Sequence, residues 1–339
     1  METLKFNPEI CKTCATVACL MKCQYIDLDL ESAREERLKI NRGEGSVVLK
    51  KCVTCYACEE YCPNHNHPFY RTVDVQEKLD VLPAPRPLTE SQVRMMAPRG
   101  KLSKTPAAST VVDLCAFPML KGGIRGKLFP GASVIDGIDI FCNLMFLHFA
   151  RSSVIRERLP HIMENIAANY LGGNDTGTVI CYHDECYGTY TSWAQAYGIK
   201  VPFRPVHLFQ YLLERLTELK DEITPLNLTV AYQRPCSARL IPDMEHYVDD
   251  IFSLIGVKRV EREYDRGNAL CCGGIMEAQQ RFDLAEENQD KNIGDMKKNG
   301  ATHCVFDCPF CFFTLMGKTV KQGITPILMV DLCHKALGE

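Results

Sequence analysis

Cys52, Cys55, Cys58 and Cys62, with Pro63 directly after, are spaced C-x2-C-x2-C-x3-C-P. A short loop with that spacing wraps three thiolates around one face of a cubane [4Fe-4S] cluster. The fourth thiolate, on a departing helix, reaches across to a second cluster. A partner run, Cys11, Cys14, Cys19 and Cys23, has a longer gap before its third cysteine and Gln24 where proline is usual. Zinc also accepts four thiolates, but zinc modules usually pair C-x2-C knuckles and lack the triple run. His65 and His67, just past the second run, read as polar loop residues.

A second constellation lies far along the chain. Cys236 is followed after 34 residues by Cys271-Cys272-Gly273-Gly274, and after 33 more by Cys308-Pro309-Phe310-Cys311. Five thiolates from three loops are one more than a cubane takes. Adjacent cysteines point their side chains apart in extended backbone, so one loop can touch a large cluster at two places. Gly273 and Gly274 allow the backbone to approach closely. Arg234 and Arg239 flank Cys236, where a guanidinium offsets thiolate charge and raises a cluster's potential. The plain alternative for both is a surface salt bridge.

A third group is less regular. Cys115, Cys142 and Cys186, with Cys181 or His183 as a fourth ligand, would make a zinc or small iron–sulfur site. The bland alternative is buried core thiols, and Cys304 and Cys333 read that way too. His183 and His207 could donate protons near a substrate sulfur, with a satisfied structural histidine as the default for each.

The chain carries nineteen cysteines, an odd number, and Met1 is followed by charged residues rather than by a signal-peptide core. That combination points to a reducing compartment, with thiolates ligating metal instead of forming disulfides. A cytoplasmic location is expected, with membrane association only through a partner subunit. The formal net charge of −3 and the absence of a basic block argue against nucleic-acid binding. The longest nearly apolar run, 140–150, is too short to cross a bilayer.

The elements that must position these thiols divide the 339 residues into four parts. Residues 1–78 are cysteine-dense and poor in large apolar side chains, so bound metal must supply part of their stability. Residues 79–110 carry Pro83, Pro85, Pro87, Pro98 and Pro106 and read as an extended connector. Beyond it, short apolar strands alternate with amphipathic helices, the pattern of an α/β domain with mainly parallel strands.

The same succession of elements occurs twice there, in 111–225 and 226–339. The first copy runs from Val111-Val112-Asp113-Leu114-Cys115 through Phe141-Cys142-Asn143 and a helix near 151–171 to Val179-Ile180-Cys181 and Cys186. The second runs from Leu228-Thr229-Val230-Ala231-Tyr232 and Cys236 through Cys271-Cys272 and a helix near 277–299 to Cys304-Val305-Phe306-Asp307-Cys308.

The five-cysteine array, together with Pro235-Cys236-Ser237-Ala238-Arg239, resembles the cysteine-rich CCG domain of the heterodisulfide reductase catalytic subunit and its relatives. The resemblance implies a non-cubane [4Fe-4S] cluster on Cys236, Cys271, Cys272, Cys308 and Cys311. The N-terminal cysteines are similar to those of two-cluster ferredoxins. By that likeness Cys11, Cys14, Cys19 and Cys62 hold one cubane cluster, and Cys52, Cys55, Cys58 and Cys23 hold the other. The implied fold is an α+β ferredoxin-like domain followed by an α/β domain of two CCG-type repeats. The first copy departs from the pattern, because Phe141-Cys142-Asn143 stands where Cys-Cys-Gly belongs.

The implied activity is that of an oxidoreductase subunit, acting on a small disulfide or thiol by two one-electron steps. No Rossmann fingerprint or P-loop stands out, so flavin chemistry would lie on a partner. The expected partners are a flavoprotein, or membrane cytochrome and quinone-linked redox subunits, in a hetero-oligomer. The runner-up is a pure electron conduit, similar to the iron–sulfur subunits of anaerobic glycerol-3-phosphate, glycolate or lactate dehydrogenases. A zinc-bound scaffold is the third alternative.

Overall fold

A computed structural model describes residues 4, 6–102, 105–173 and 176–339. The cysteine-dense segment is built from short helices, Pro8–Lys12, Ala18–Met21, Leu30–Arg42, Val47–Lys51, Ala57–Tyr61 and Pro68–Leu79. Among the described residues no strand precedes Thr110. The α+β expectation for this segment is therefore corrected to an all-helical one. Leu30–Arg42 shows why: it is rich in Glu, Arg, Lys, Leu and Ala, which favour helix. Asp29 caps its start by accepting from the Ser32 N–H at 2.8 Å. Gly43, at φ +76°, ends it in the left-handed conformation that glycine adopts without penalty.

The proline-rich stretch is also more ordered than an extended connector, since Arg86–Met95 is helical. Pro87 sits in its first turn, where the missing N–H would have had no partner, so the proline helps to start the helix.

The rest of the chain forms two parallel four-stranded sheets. The first contains β1 (Thr110–Asp113), β2 (Ser133–Ile135), β3 (Thr178–Cys181) and β4 (Arg204–His207). The second contains β5 (Leu228–Gln233), β6 (Val257–Arg259), β7 (His303–Phe306) and β8 (Thr325–Leu328). The strand orders are β2-β1-β3-β4 and β6-β5-β7-β8, one topology used twice. In register, Val112 lies between Val134 and Ile180 in the first sheet, and Val305 between Tyr232 and Ile327 in the second.

Successive strand residues point to opposite faces. Val112, Ile180, Val230, Tyr232 and Val305 share one core, which the helices Leu208–Glu218, Glu245–Leu254 and Met329–Ala336 fill between the two sheets. On the opposite face of the first sheet, Val111, Val179 and Cys181 pack with Leu159, Ile162 and Ile166 of the helix Ser152–Tyr170. Ala231, Cys304 and Phe306 do the same for the second sheet, against Ile293 and Met296 of the helix Phe282–Lys298.

The helical segment is packed against both copies. Arg281 donates to the carbonyls of Lys51 and Lys50 at 2.7 and 2.9 Å. Glu77 accepts from the Ser152 hydroxyl at 2.7 Å, and Gln24 donates to the Asn268 carbonyl at 2.8 Å. Contacts of this kind hold the three segments as one body.

Candidate metal centres

In the helical segment the sulfurs fall into two sets that cross the order of the chain. Cys19 is surrounded by Cys62, Cys11 and Cys14, and burial pushes its thiol up to about 12. Cys52 and Cys55 both face Cys23, while Cys58 faces Cys52, Cys55 and, from the neighbouring set, Cys19. Backbone and amide N–H groups point at these sulfurs. Thr54 N lies 3.3 Å from Cys52 Sγ, Asn66 N 3.4 Å from Cys62 Sγ, and Asn66 Nδ2 3.2 Å from Cys11 Sγ. The loop turns back through Thr54 and Tyr56, both left-handed at φ +57° and +61°. Such turns aim successive N–H groups inward, as an anionic cluster requires.

The second set of thiols lies at the carboxyl ends of β5 and β7, where parallel sheets present their sites. A chain of sulfur contacts runs Cys236–Cys271–Cys272–Cys311–Cys308, and all five remain free thiols. The sulfurs share protons unequally. Hydrogen bonds from Cys236 and Cys272 hold Cys271 well below the usual thiol range. Cys311 does the same for Cys308, which sits at about 5 despite its burial. Thiolate is the form that binds metal.

The two glycines are sterically required here. Gly273 has φ +84°, and a Cβ on it would lie 2.9 Å from Gln289 Nε2. A Cβ on Gly274 would meet Phe310 Cε1 and Thr314 Oγ1, both at 2.6 Å, so side chains of the ligand-bearing helix Pro309–Lys321 would have to move.

In the first copy, Cys115, Cys142 and Cys186 are buried, with sulfurs within 4.8 Å of one another. Hydrogen bonds from Cys115 and Cys186 hold Cys142 well below its ordinary value. Neither expected fourth ligand joins them. Cys181 lies on β3 with Sγ 3.8 Å from the Val179 carbonyl. His183 turns instead toward Cys308 of the second copy. Burial would lower its pKa, but the facing Cys308 thiolate outweighs it and the net direction is up.

The two copies thus share one cavity of about 90 Å3, lined by Cys115, His148, His183, Glu185, Cys236 and Cys308 among others. His207 lies outside it. Its Nε2 pairs with Asp184 at 2.8 Å and its Nδ1 accepts from the Phe209 N–H, a satisfied structural role. Cys304 and Cys333 are fully buried in the core, Cys304 in the cluster that also holds Cys271, Cys272, Cys308 and Cys311, and Cys333 in the core between the sheets.

Further links beside the thiols connect the helical segment to the second copy. Arg234 and Arg239, 2 % and 4 % exposed, are not surface residues. Both pair with Glu60, at 2.7 and 3.1 Å, and Arg239 also faces Cys55. Tyr25 accepts from the Cys271 N–H at 3.3 Å and donates to Asn288 Oδ1 at 3.2 Å. Sequence reasoning missed Tyr25, Thr54, Glu60, His148 and Glu185. His148 is hidden in the apolar stretch Leu144–Phe149, and the others carry no spacing of their own; only proximity to a cysteine marked Tyr25, Thr54, Glu60 and Glu185.

Converging free thiols, N–H donors aimed at sulfur and sterically required glycines fit an iron–sulfur cofactor. Residues 230–316 match the family model of the CCG cysteine-rich domain. A crystal structure of a hypothetical protein from Helicobacter pylori is similar over 91 % of this chain, with a TM-score of 0.55 and 12 % identity. The chain spans 65 % of that protein, and the likeness is one of fold. Among curated proteins none matches. No helix among the described residues is long and apolar enough to cross a membrane.

Proposed function

We propose that this chain is the iron–sulfur electron-transfer subunit of a heterodisulfide-reductase-like complex. Two cubane clusters would be held by Cys11, Cys14, Cys19 and Cys62 and by Cys23, Cys52, Cys55 and Cys58. A non-cubane [4Fe-4S] cluster would be held by Cys236, Cys271, Cys272, Cys308 and Cys311. The observation that carries this reading is the contact chain of five free thiols at the strand ends, opening on a cavity that both copies line. Bound there, clusters supply one-electron chemistry. Reduction of a disulfide consumes two electrons and two protons and releases two thiols. The electrons would come from a flavoprotein or quinone-linked partner subunit.

Cys115, Cys142 and Cys186 would hold a further metal, zinc or iron–sulfur, with a fourth ligand from outside the trio. Three protein ligands with an open position are the usual arrangement of a reactive metal site.

Burial of Cys271, Cys272, Cys308 and Cys311 favours a second reading, in which the chain is a conduit that passes electrons onward without touching substrate. Iron and acid-labile sulfide analysis tests what both share, since three four-iron clusters require about twelve irons per chain. A disulfide-dependent reoxidation of the reduced protein separates them. Its absence with clusters intact would rule out the first.

A further inference from the structure

Three parts of the chain meet at one buried side chain. His148, 1 % exposed, belongs to the first copy, yet its Nε2 lies 3.9 Å from Sγ of Cys236 in the second. Its Nδ1 lies 3.1 Å from the hydroxyl of Thr54 in the helical segment. Gln279 of the second copy closes the junction, donating to the Thr54 hydroxyl at 3.0 Å and to the His148 carbonyl at 2.8 Å. Tyr56 packs edge-on against the imidazole with ring centroids 5.0 Å apart.

The neighbours fix the ring's proton. Nε2 faces the sulfur of Cys236 and, at 3.8 Å, Glu185 Oε1, both acceptors. An N–H therefore belongs on Nε2, while Nδ1 is held within hydrogen-bond distance of the Thr54 hydroxyl, whose own proton goes to the Val53 carbonyl at 2.7 Å. Thr54 in turn gives its backbone N–H to Cys52 Sγ at 3.3 Å. A path of two residues thus joins a sulfur of the helical segment to a sulfur of the C-terminal array.

We propose that His148 is a positioning residue for the C-terminal cluster: anchored by Thr54, its Nε2–H points at the Cys236 sulfur, sets that cluster's reduction potential and ties it to the Cys52–Cys58 loop. This rests on the cluster reading above. Hydrogen bonds to cluster sulfurs raise the potential, so a first copy that lacks the Cys-Cys-Gly turn still acts on the second through this histidine.

The test is a redox titration of the full-length, cluster-loaded protein, followed by electron paramagnetic resonance, for the wild type, His148→Phe and Thr54→Val. Both variants are expected to keep their iron content and the two N-terminal signals while the C-terminal signal moves to lower potential. The double variant should move it little further than His148→Phe alone, because both changes break one path. An unmoved potential in Thr54→Val, whose shape is nearly that of threonine, or shifts that add fully, would overturn the proposal and leave the cluster reading standing. A wild-type protein with no third signal would overturn the cluster reading itself.

Discussion

Tyr25 places its hydroxyl 3.3 Å from the backbone nitrogen of Cys271, so a residue just past the first cysteine run satisfies the backbone of a ligand in the other array. Tyr25→Phe leaves that N–H without its partner. The expected cost is about 1–3 kcal/mol, read as a lower denaturant midpoint of the loaded protein with iron content unchanged. A midpoint equal to the wild type would show that the contact is dispensable.

Glu60 neutralises two buried guanidiniums, Arg234 and Arg239, across the boundary between the helical segment and the second copy. Glu60→Gln should therefore destabilise, by about 3 kcal/mol, since it leaves the buried Arg239 without its carboxylate, whereas Arg234 keeps Glu245 at 2.7 Å. Limited proteolysis should then cut near the 79–110 stretch faster than in the wild type. Unchanged cleavage there would contradict a joint held by these ion pairs.

Cys308→Ser should remove the C-terminal cluster signal, about four irons per chain, and spare the N-terminal signals. Cys333 is fully buried in the core between the sheets, so Cys333→Ala should change neither iron content nor spectrum. Iron analysis and electron paramagnetic resonance on both variants decide the assignment.

For Glu36, burial would raise the carboxyl, but hydrogen bonds from Lys39, Ser46 and the Val47 N–H outweigh it and hold the group below its ordinary range. A carboxylate depressed in the folded state stabilises above its unfolded pKa and loses that contribution as pH falls through the folded value. Glu36→Gln should thus lower the thermal midpoint at neutral pH, and the gap to wild type should narrow in acid. A gap that stays constant with pH would show that the charge is not what matters.

Much of this was legible in the cysteine spacing and strand pattern. Val111, Val179, Val230 and Val305 all lie on strands, and the second copy's five thiols come together at the ends of two of them. Spacing could not show that Leu30–Arg42 would be helical, because cysteine runs fix ligands and leave the intervening backbone to propensity. Pro87 misled for a related reason: proline stops a helix from within but starts one from its first turn. Thr54 and His148 were illegible because their role exists only where three distant segments meet.

The trio Cys115, Cys142 and Cys186 lies beside a sheet whose strand order copies that of its neighbour, although Phe141 and Asn143 stand where the first cysteine and the glycine of the Cys-Cys-Gly turn belong. The same architecture thus stands behind two different sets of thiols. Scaffold and binding capacity are written in separable letters, so what such a half can hold is open to change by a few substitutions without refolding it.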